Sequence, residues 1–586
     1  MSPYIIFCRW LVVLVLFLLG IRLLGGLKAS PEFFEALPSS TVGLVYVDDL
    51  SKEYEFLQHG SLTRLWEKDE LATFFAPLLD FTIHEEESLF WQQLQGYFSQ
   101  RVLLALSSIE TGSQENEAWI PRGLLLADFK GGRAAFEAFI QQILVISRQS
   151  ADQLENPQLI KNTYRNASLY SEKQSSHAID GHPLVFGLVD RKIAIIGQST
   201  DEVKNAIDRL QGIDGSQNLA ELPHFKKAYA RIGRMNAFGY MNLGALVKLA
   251  EAAIKVADSH FQNNPLISLQ GMFKALALSE LETLFVAKDS QKKETVFYSG
   301  LLFKDRRGVI PLLTNVGSEP LKNPHFVPKE AISSTIRSFN LGRFYKDLEN
   351  VFYRAVPVFA GLYQGYLYQL KIRSGIDIKE AVFSNFGEQW TQFSIKESMD
   401  SEGKLGLNTL YILPIKNREE METTIQKVKA NLNISSNHFI ASPYRDASLY
   451  VFLPKDSQSH PFSYAFTDKN LVLGISSIAA LKASIDRLEQ NKSKESLWHQ
   501  KKVKKALASK FFPKGAIGRN YTDLSTWLQM GLTQLAQLQE ISPPEKKICN
   551  PHALPKPPER SHFLVGQTYL EDNGLFSRHR LLEVER

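Results

Sequence analysis

"HPLVFGLVDRKIAIIGQSTDEVKNAIDRL", His182 to Leu210, returns later in the same chain as "HPFSYAFTDKNLVLGISSIAALKASIDRL", His460 to Leu488, without a gap between the copies. Nine of the twenty-nine positions are identical, where composition alone gives about two. The shared residues include His182/His460, Pro183/Pro461, Asp190/Asp468, Ser199/Ser477, Lys204/Lys482 and the closing Ile-Asp-Arg-Leu. The spacing persists downstream, where "KKAYA" from Lys226 matches "KKALA" from Lys504. Upstream, "YRNASLY" from Tyr164 matches "YRDASLY" from Tyr444 with a small shift. Register held over such distances marks a duplicated unit rather than two chance look-alikes.

Each piece has a physical reading. "LVFGLVD" and "KIAIIG" are short β-rich runs joined by the polar turn Asp190-Arg191-Lys192, the pattern of a hairpin. "STDEVKNAIDRL" starts with Ser199 or Thr200 as N-cap, carries Asp201-Glu202 in its first turn, and spaces Val203, Ala206, Ile207 and Leu210 as one helical face. The second copy repeats that face with Leu481, Ile485 and Leu488. Ahead of the hairpins, "RGLLLADF" and "LNTLYILPI" read as strands, and "RAAFEAFIQQILVISRQ" and "REEMETTIQKVKANL" as helices. Asp208-Arg209 and Asp486-Arg487 are expected on the solvent side of the repeated helix.

Further out, "LPSSTVGLVYVDDL" near Leu37 resembles "VPKEAISSTIRSFNL" near Val327, and each copy is expected to close with a hairpin. The expected architecture is therefore α+β: two tandem related modules, 35–318 and 325–586, with largely antiparallel sheets and packed helices. "NVGSEPLKNPHFVP", rich in Gly, Pro and Asn, is the expected connector. A chain of 586 residues is in any case too long for one core.

The N-terminus adds a third segment, 1–30. "YIIFCRWLVVLVLFLLGIRLLGGL", Tyr4 to Leu27, is interrupted only by Arg9 and Arg22, both near its ends, where their stems can snorkel to headgroups. Its length matches the roughly 20 residues that span a bilayer. A cleaved signal peptide is the competing reading, but Leu27 stands where a small residue belongs before Ala29. An uncleaved signal anchor, a single transmembrane helix, is expected. The arginine count nearly ties on the two flanks and does not orient it.

Composition excludes several classes. At 44% hydrophobic and 22% charged the chain is globular, and a net charge of +5 does not suggest a nucleic-acid partner. With only Cys8 and Cys549, no cysteine zinc site can be built and an internal disulfide is not expected.

The anchor, the opening strand "LPSSTVGLVYV", the hairpin "GHPLVFGLVDRKIAIIG", "LAELPHFKKAYARI" and "SGIDIKEAVFSNFGEQW" together resemble an uncharacterised family of bacterial membrane-anchored envelope proteins, catalogued as a domain of unknown function. The resemblance covers most of the chain. It implies an extracytoplasmic body on the inner membrane, with the bulk in the periplasm, and brings no reaction and no site residues.

Chemistry-bearing motifs are scarce. Neither G-x-x-x-x-G-K-[ST] nor G-x-G-x-x-G occurs, and Gly131-Gly132 reads as a helix-entry turn because the second copy lacks the pair. His84-Glu85-Glu86-Glu87 has no second histidine at zinc-helix spacing and reads as a solvated cluster. His182 and His460, each before proline, suit a turn and have no nucleophile motif beside them. No catalytic, cofactor-binding or metal site is assigned, and no cofactor is expected.

Two stretches stand out. Lys501, Lys502, Lys504 and Lys505, with a thinner echo in Lys226 and Lys227, would suit an anionic lipid or acidic partner; an exposed helix face is the plainer reading. "AVPVFAGLYQGYLYQL", Ala355 to Leu370, is uncharged. Its Tyr363, Tyr366 and Tyr368 would suit a membrane interface, a protein contact or a groove wall, while burial against the second module's sheet is the expectation. The function expected is binding or scaffolding by a single-pass membrane protein, partnered by the membrane itself and by an envelope protein or anionic lipid. An enzyme with a site between the modules and a carrier of lipid or another hydrophobic ligand are the alternatives.

Overall fold

The computed structural model describes residues 32–50, 70, 73–74, 96–110, 120–149, 158–172, 184–233, 235–260, 268–291, 294–396, 407–431, 439–452, 462–475, 477–490, 495–540, 549–556 and 560–585. The apolar run Tyr4–Leu27, Cys8, the cluster His84–Glu87, His182 and His460 lie outside the described residues. Among those described, no helix is long and apolar enough to cross a membrane. The fold is a mixture of helices and antiparallel sheet, as the patterning requires.

Two compact units separate. One comprises Met1–Lys248, Leu281–Leu302 and Lys547–Asn550; the other Leu249–Glu280, Phe303–Lys546 and Pro551–Arg586. The first opens with a single helical turn, α1 (Glu32–Glu35), followed by β1 (Gly43–Val47), β2 (Phe98–Glu110) and β3 (Ile120–Phe129). Helix α2 (Gly132–Gln149) leads to β4 (Leu159–Tyr164), β5 (Ala167–Glu172), β6 (Val185–Val189) and β7 (Ile193–Gly197). Then come α3 (Thr200–Leu210), α4 (Pro223–Ile232), β8 (Ala237–Asn242), the start of α5 (Leu243–His260), whose residues from Leu249 belong to the second unit, β9 (Leu281–Gln291) and β10 (Glu294–Phe303).

The sheet runs β10-β9-β8-β1-β2-β3-β7-β6-β5-β4. Strand β1 is buried along its whole length between β2 and β8, which explains why "GLVYV" carries no polar alternation. Helix α3 is capped as its sequence demands: the Ser199 hydroxyl accepts from the Glu202 amide at 3.1 Å. It lies so close to the sheet that a Cβ on Gly197 would sit 2.9 Å from Val203, so glycine is needed there for contact rather than for a turn. The β6–β7 turn holds Asp190 and Arg191 at φ 47° and 59°, left-handed positions that aspartate tolerates.

The second unit contains α6 (Leu269–Leu276), β11 (Ser333–Ser338), α7 (Leu341–Ala355), α8 (Pro357–Ser374), β12 (Gln389–Lys396), β13 (Leu407–Pro414) and α9 (Arg418–Asn431). It continues with β14 (Phe439–Tyr444), β15 (Ala447–Phe452), β16 (Phe462–Phe466), β17 (Asn470–Ile475), α10 (Ile478–Glu489), α11 (Lys501–Leu507), β18 (Gly518–Asp523), α12 (Leu524–Glu540), β19 (Arg560–Glu571) and β20 (Gly574–Glu585). Its sheet runs β20-β19-β18-β11-β12-β13-β17-β16-β15-β14, antiparallel throughout.

Strand for strand, this is the order of the first unit. Small details repeat as well. The Leu219 amide donates to the Leu37 carbonyl at 2.9 Å, and the Leu497 amide to that of Val327 at 3.0 Å. Ser477 caps α10 as Ser199 caps α3.

The paired Asp-Arg residues correct an expectation. Arg209 is only 10% exposed and donates to the Ala36 carbonyl at 2.8 Å; Arg487 donates to that of Phe326 at 3.0 Å. Both therefore fasten the repeated helix to the segment leading into the first strand of its unit. Burial, opposed by Asp214, holds the Arg209 pKa below its ordinary value.

The connector is tied down rather than loose. The Glu388 carboxylate accepts from the Ser318 amide, from the Ser318 hydroxyl at 2.9 Å, from the Glu319 amide at 3.3 Å and from Asn340 Nδ2 at 2.8 Å. Gln389 closes a two-bond bracket on Lys322, each bond 2.7 Å. Burial works against the Glu388 anion, but these donors win and keep its carboxyl below the usual glutamate range. A folded-state pKa below the unfolded one gives stability that is present at neutral pH and lost as pH falls through the folded value. Glu388→Gln is expected to cost about 1–2 kcal/mol at pH 7 and to flatten the acid limb of unfolding between about pH 5 and 3, read by urea titrations at successive pH values.

Candidate functional site

The most unusual surface in the second unit is the hairpin of α7 and α8. Asn340 starts it, its Oδ1 accepting from the Arg343 amide at 2.8 Å. Val356 ends α7, and Pro357 begins α8 where its missing N–H costs nothing. Gly375, at φ 69°, closes α8 in the left-handed conformation that favours glycine.

The inner side of the hairpin is held by specific contacts. Tyr345 stacks on Phe383 at 4.1 Å, and its hydroxyl meets that of Tyr363 at 3.1 Å. Glu349 pairs with Lys379 at 2.8 Å and accepts from Gln364. Helix α6 packs on the same α7. The outer side is another matter. Only Ala360 of α8 is buried, while Leu362 is 66%, Tyr366 58%, Tyr368 63% and Ile372 61% exposed. A Cβ added to Gly361 or Gly365 would have no neighbour within 4 Å.

The expected burial of this stretch is thus corrected. The sheet does not cover it, because α8 reaches the unit through one stripe, Ala360 buried and Gln364, Leu367, Leu370 and Ser374 half-buried, and leaves its other apolar side chains outside. All three tyrosines are exposed; Tyr363, at 37%, is the least so and its hydroxyl meets that of Tyr345, while Tyr366 and Tyr368 are more fully in solvent.

The lysines sit as plain exposed helix faces. Lys226 and Lys227 on α4, and Lys501, Lys502, Lys504 and Lys505 on α11, are all exposed, with the buried Phe225 and Ala228 or Val503 and Ala506 facing inward. Lys502 lies 5.3 Å from the Phe563 ring centre.

Two arrangements were missed at the level of sequence. The repeated "YR" places Tyr164 against Asp208 at 2.8 Å, with Lys204 over its ring at 5.3 Å; Tyr444 meets Asp486 at 3.1 Å under Lys482 at 4.9 Å. The recurrence of "YRNASLY" and of "KNAIDRL" was the available signal, but it needed the fold to bring them together. Tyr450 and Tyr464 stack with ring centres 4.7 Å apart, and Lys429 sits beside the stack, 4.9 Å from each ring centre, donating to the Tyr464 hydroxyl; burial holds its amine below the usual lysine value. No sequence motif announces that arrangement.

Beside Tyr164 lies a cavity of about 260 Å³ lined by Asn162, Tyr170, Ser171, Thr200 and Lys204 among others. That is below the roughly 300–1,000 Å³ of ordinary small-molecule sites. Among the described residues no three His, Cys, Asp or Glu side chains gather as metal ligands. Gly131 and Gly132 both have positive φ and form the entry turn of α2; a Cβ on Gly131 would strike Ala135 at 2.6 Å. Cys549 is buried, and burial raises its thiol pKa.

No family model matches the chain, and no curated protein does. Among solved structures it is similar to crystal forms I and IV of TP0453, at 12% and 13% identity and a TM-score of 0.23 for each. The matches cover 47% of this chain and 80% and 83% of those chains. A likeness at that score carries no argument about fold or activity.

Proposed function

We propose that the chain is a single-pass protein of a bacterial inner membrane, held by residues 1–30, whose periplasmic body works in binding or scaffolding. The observation that carries this reading is the docking of the residues just after the apolar run. Only Lys28 to Pro31 separate Leu27 from α1, and there Phe33 and Phe34 are fully buried. Arg101 clamps that turn, lying 4.4 Å from the Phe33 ring centre and 3.2 Å from Glu32. With Tyr4–Leu27 in the bilayer, at most about 17 Å of extended chain would separate the hydrocarbon from a rigid attachment point. The first unit would then be held at the membrane surface, not on a long leash.

The common strand order and the repeated caps support reading the body as one α+β module written twice by duplication, 35–318 and 325–586. Duplication supplies two similar surfaces, the economy expected of a scaffold. An envelope protein or anionic lipid is the partner class that fits. Alkaline carbonate extraction tests the anchor, and the expected result is retention in the membrane pellet. Protease added to spheroplasts tests sidedness, and the expected result is digestion of the body. Release by carbonate, or full protection in intact spheroplasts, would overturn the corresponding half of the reading.

A further inference from the structure

We propose that the α7–α8 hairpin lies against the surface of an anionic lipid bilayer, with α8 as an interfacial helix. The inference rests on the anchored reading above only for its geometry of delivery; the surface itself is argued from the second unit. Val358, Phe359, Leu362, Tyr366, Tyr368 and Ile372 are between 43% and 66% exposed and sit on one short helical element. Soluble surfaces rarely leave so many large apolar side chains together without an occupant.

Charge selects the occupant. From Arg354 to Ile376 every formal charge is positive: Arg354, Lys371 and Arg373. They bracket the apolar stretch at its two ends, the arrangement that lets aromatic and aliphatic side chains enter the acyl boundary while cations stay at the headgroups. Lys371 is paired with Asp377 at 2.8 Å and Glu380 is exposed nearby, so the positive charge at the two ends comes mainly from Arg354 and Arg373; farther off, Glu349 pairs with Lys379 at 2.8 Å and Asp347 lies 4.0 Å from Arg343. A second copy of the chain fits less well, because an isologous pairing of this face sets cation against cation. Tyrosines at the solvent side of α8 match the chemistry of the membrane–water boundary, where the ring is buried and the hydroxyl stays wet.

The test uses the full chain in a Cys8→Ser background, with a nitroxide spin label at L362C, at Y366C, or at D572C on the exposed β19–β20 turn as reference. The labelled proteins are reconstituted into vesicles of phosphatidylcholine alone or with phosphatidylglycerol. In the anionic vesicles, the ratio of oxygen to nickel-chelate collision at L362C and Y366C is expected to exceed that at D572C by about threefold or more, and the difference is expected to shrink without phosphatidylglycerol. Equal ratios at all three sites overturn the proposal. Dipolar broadening between labels on two copies overturns it in favour of self-association, and shielding that appears only after adding membrane proteins overturns it in favour of a protein partner. Release of the unlabelled chain by carbonate would defeat the anchor alone; the labelled chain added to preformed anionic vesicles then reads the hairpin by itself, with the same two outcomes.

Discussion

Arg101→Ala is expected to destabilise the first unit by about 3 kcal/mol, because it strands a carboxylate rather than merely deleting a contact. Arg101 meets Asp128 through two side-chain bonds, Nε at 2.7 Å and its second guanidinium nitrogen at 2.8 Å, and its own amide donates to the same carboxylate at 3.1 Å. Both side chains are largely covered, 20% and 15% exposed. The bond to Asp128 outweighs desolvation and pushes the guanidinium pKa above its ordinary value. Lysine cannot reproduce the fork, so Arg101→Lys is expected to recover less than half of the loss. The measurement is the urea midpoint of the first unit's transition, with unchanged slope showing that stability alone has moved. A fall under about 1 kcal/mol for alanine would mean that the loss of Arg101 does not strand the Asp128 carboxylate.

Trp498→Ala carries the other large effect, about 3–5 kcal/mol from the second unit. Trp498 is fully buried in the main core of that unit, and its indole N–H donates to the Ser334 hydroxyl at 3.2 Å. The matching position in the first copy is Ala220, and where the second copy has Val503 the first has Phe225, which is buried among Phe34, Phe238 and Tyr240. Under the proposed duplication the large residue sits on opposite members of the pairs Ala220–Phe225 and Trp498–Val503, which would then share one niche. Volume-conserving exchange is the repacking a core tolerates best. The double variant Trp498→Ala with Val503→Phe is therefore expected to regain about 1 kcal/mol or more over Trp498→Ala alone, a coupling read from a double-mutant cycle. Simple additivity would show that the two niches are not equivalent.

These compensations explain how much of the fold could be read in the sequence. Local pattern was enough for the β6–β7 and β16–β17 hairpins, for an N-cap at Ser199 or Thr200, and for α2 and α9, because each is decided by residues within one turn or one hairpin; the Ser477 cap was not read. What failed depended on distant partners. Arg209 and Arg487 look like surface charges on a helical wheel, yet each reaches a carbonyl at the start of its own unit. Glu388 sits in an ordinary polar stretch, and nothing near it in sequence reveals that it fastens Ser318. The stretch from Ala355 to Leu370 was misjudged for the opposite reason: an uncharged run normally signals burial, and only packing shows that α8 has too few neighbours to bury it. The candidate site was legible as a composition anomaly and illegible as a surface.

The central claim, a module written twice and attached to a bilayer by the run before Glu32, is tested most directly by an electron cryomicroscopy map of the full chain in a lipid nanodisc. The expected map overlays β1–β10 on β11–β20 in the same order, Arg209 on Arg487 and Ser199 on Ser477, with helical density for Tyr4–Leu27 inside the disc. Sheets that cannot be matched strand for strand, or an apolar run folded away from the lipid, would contradict it.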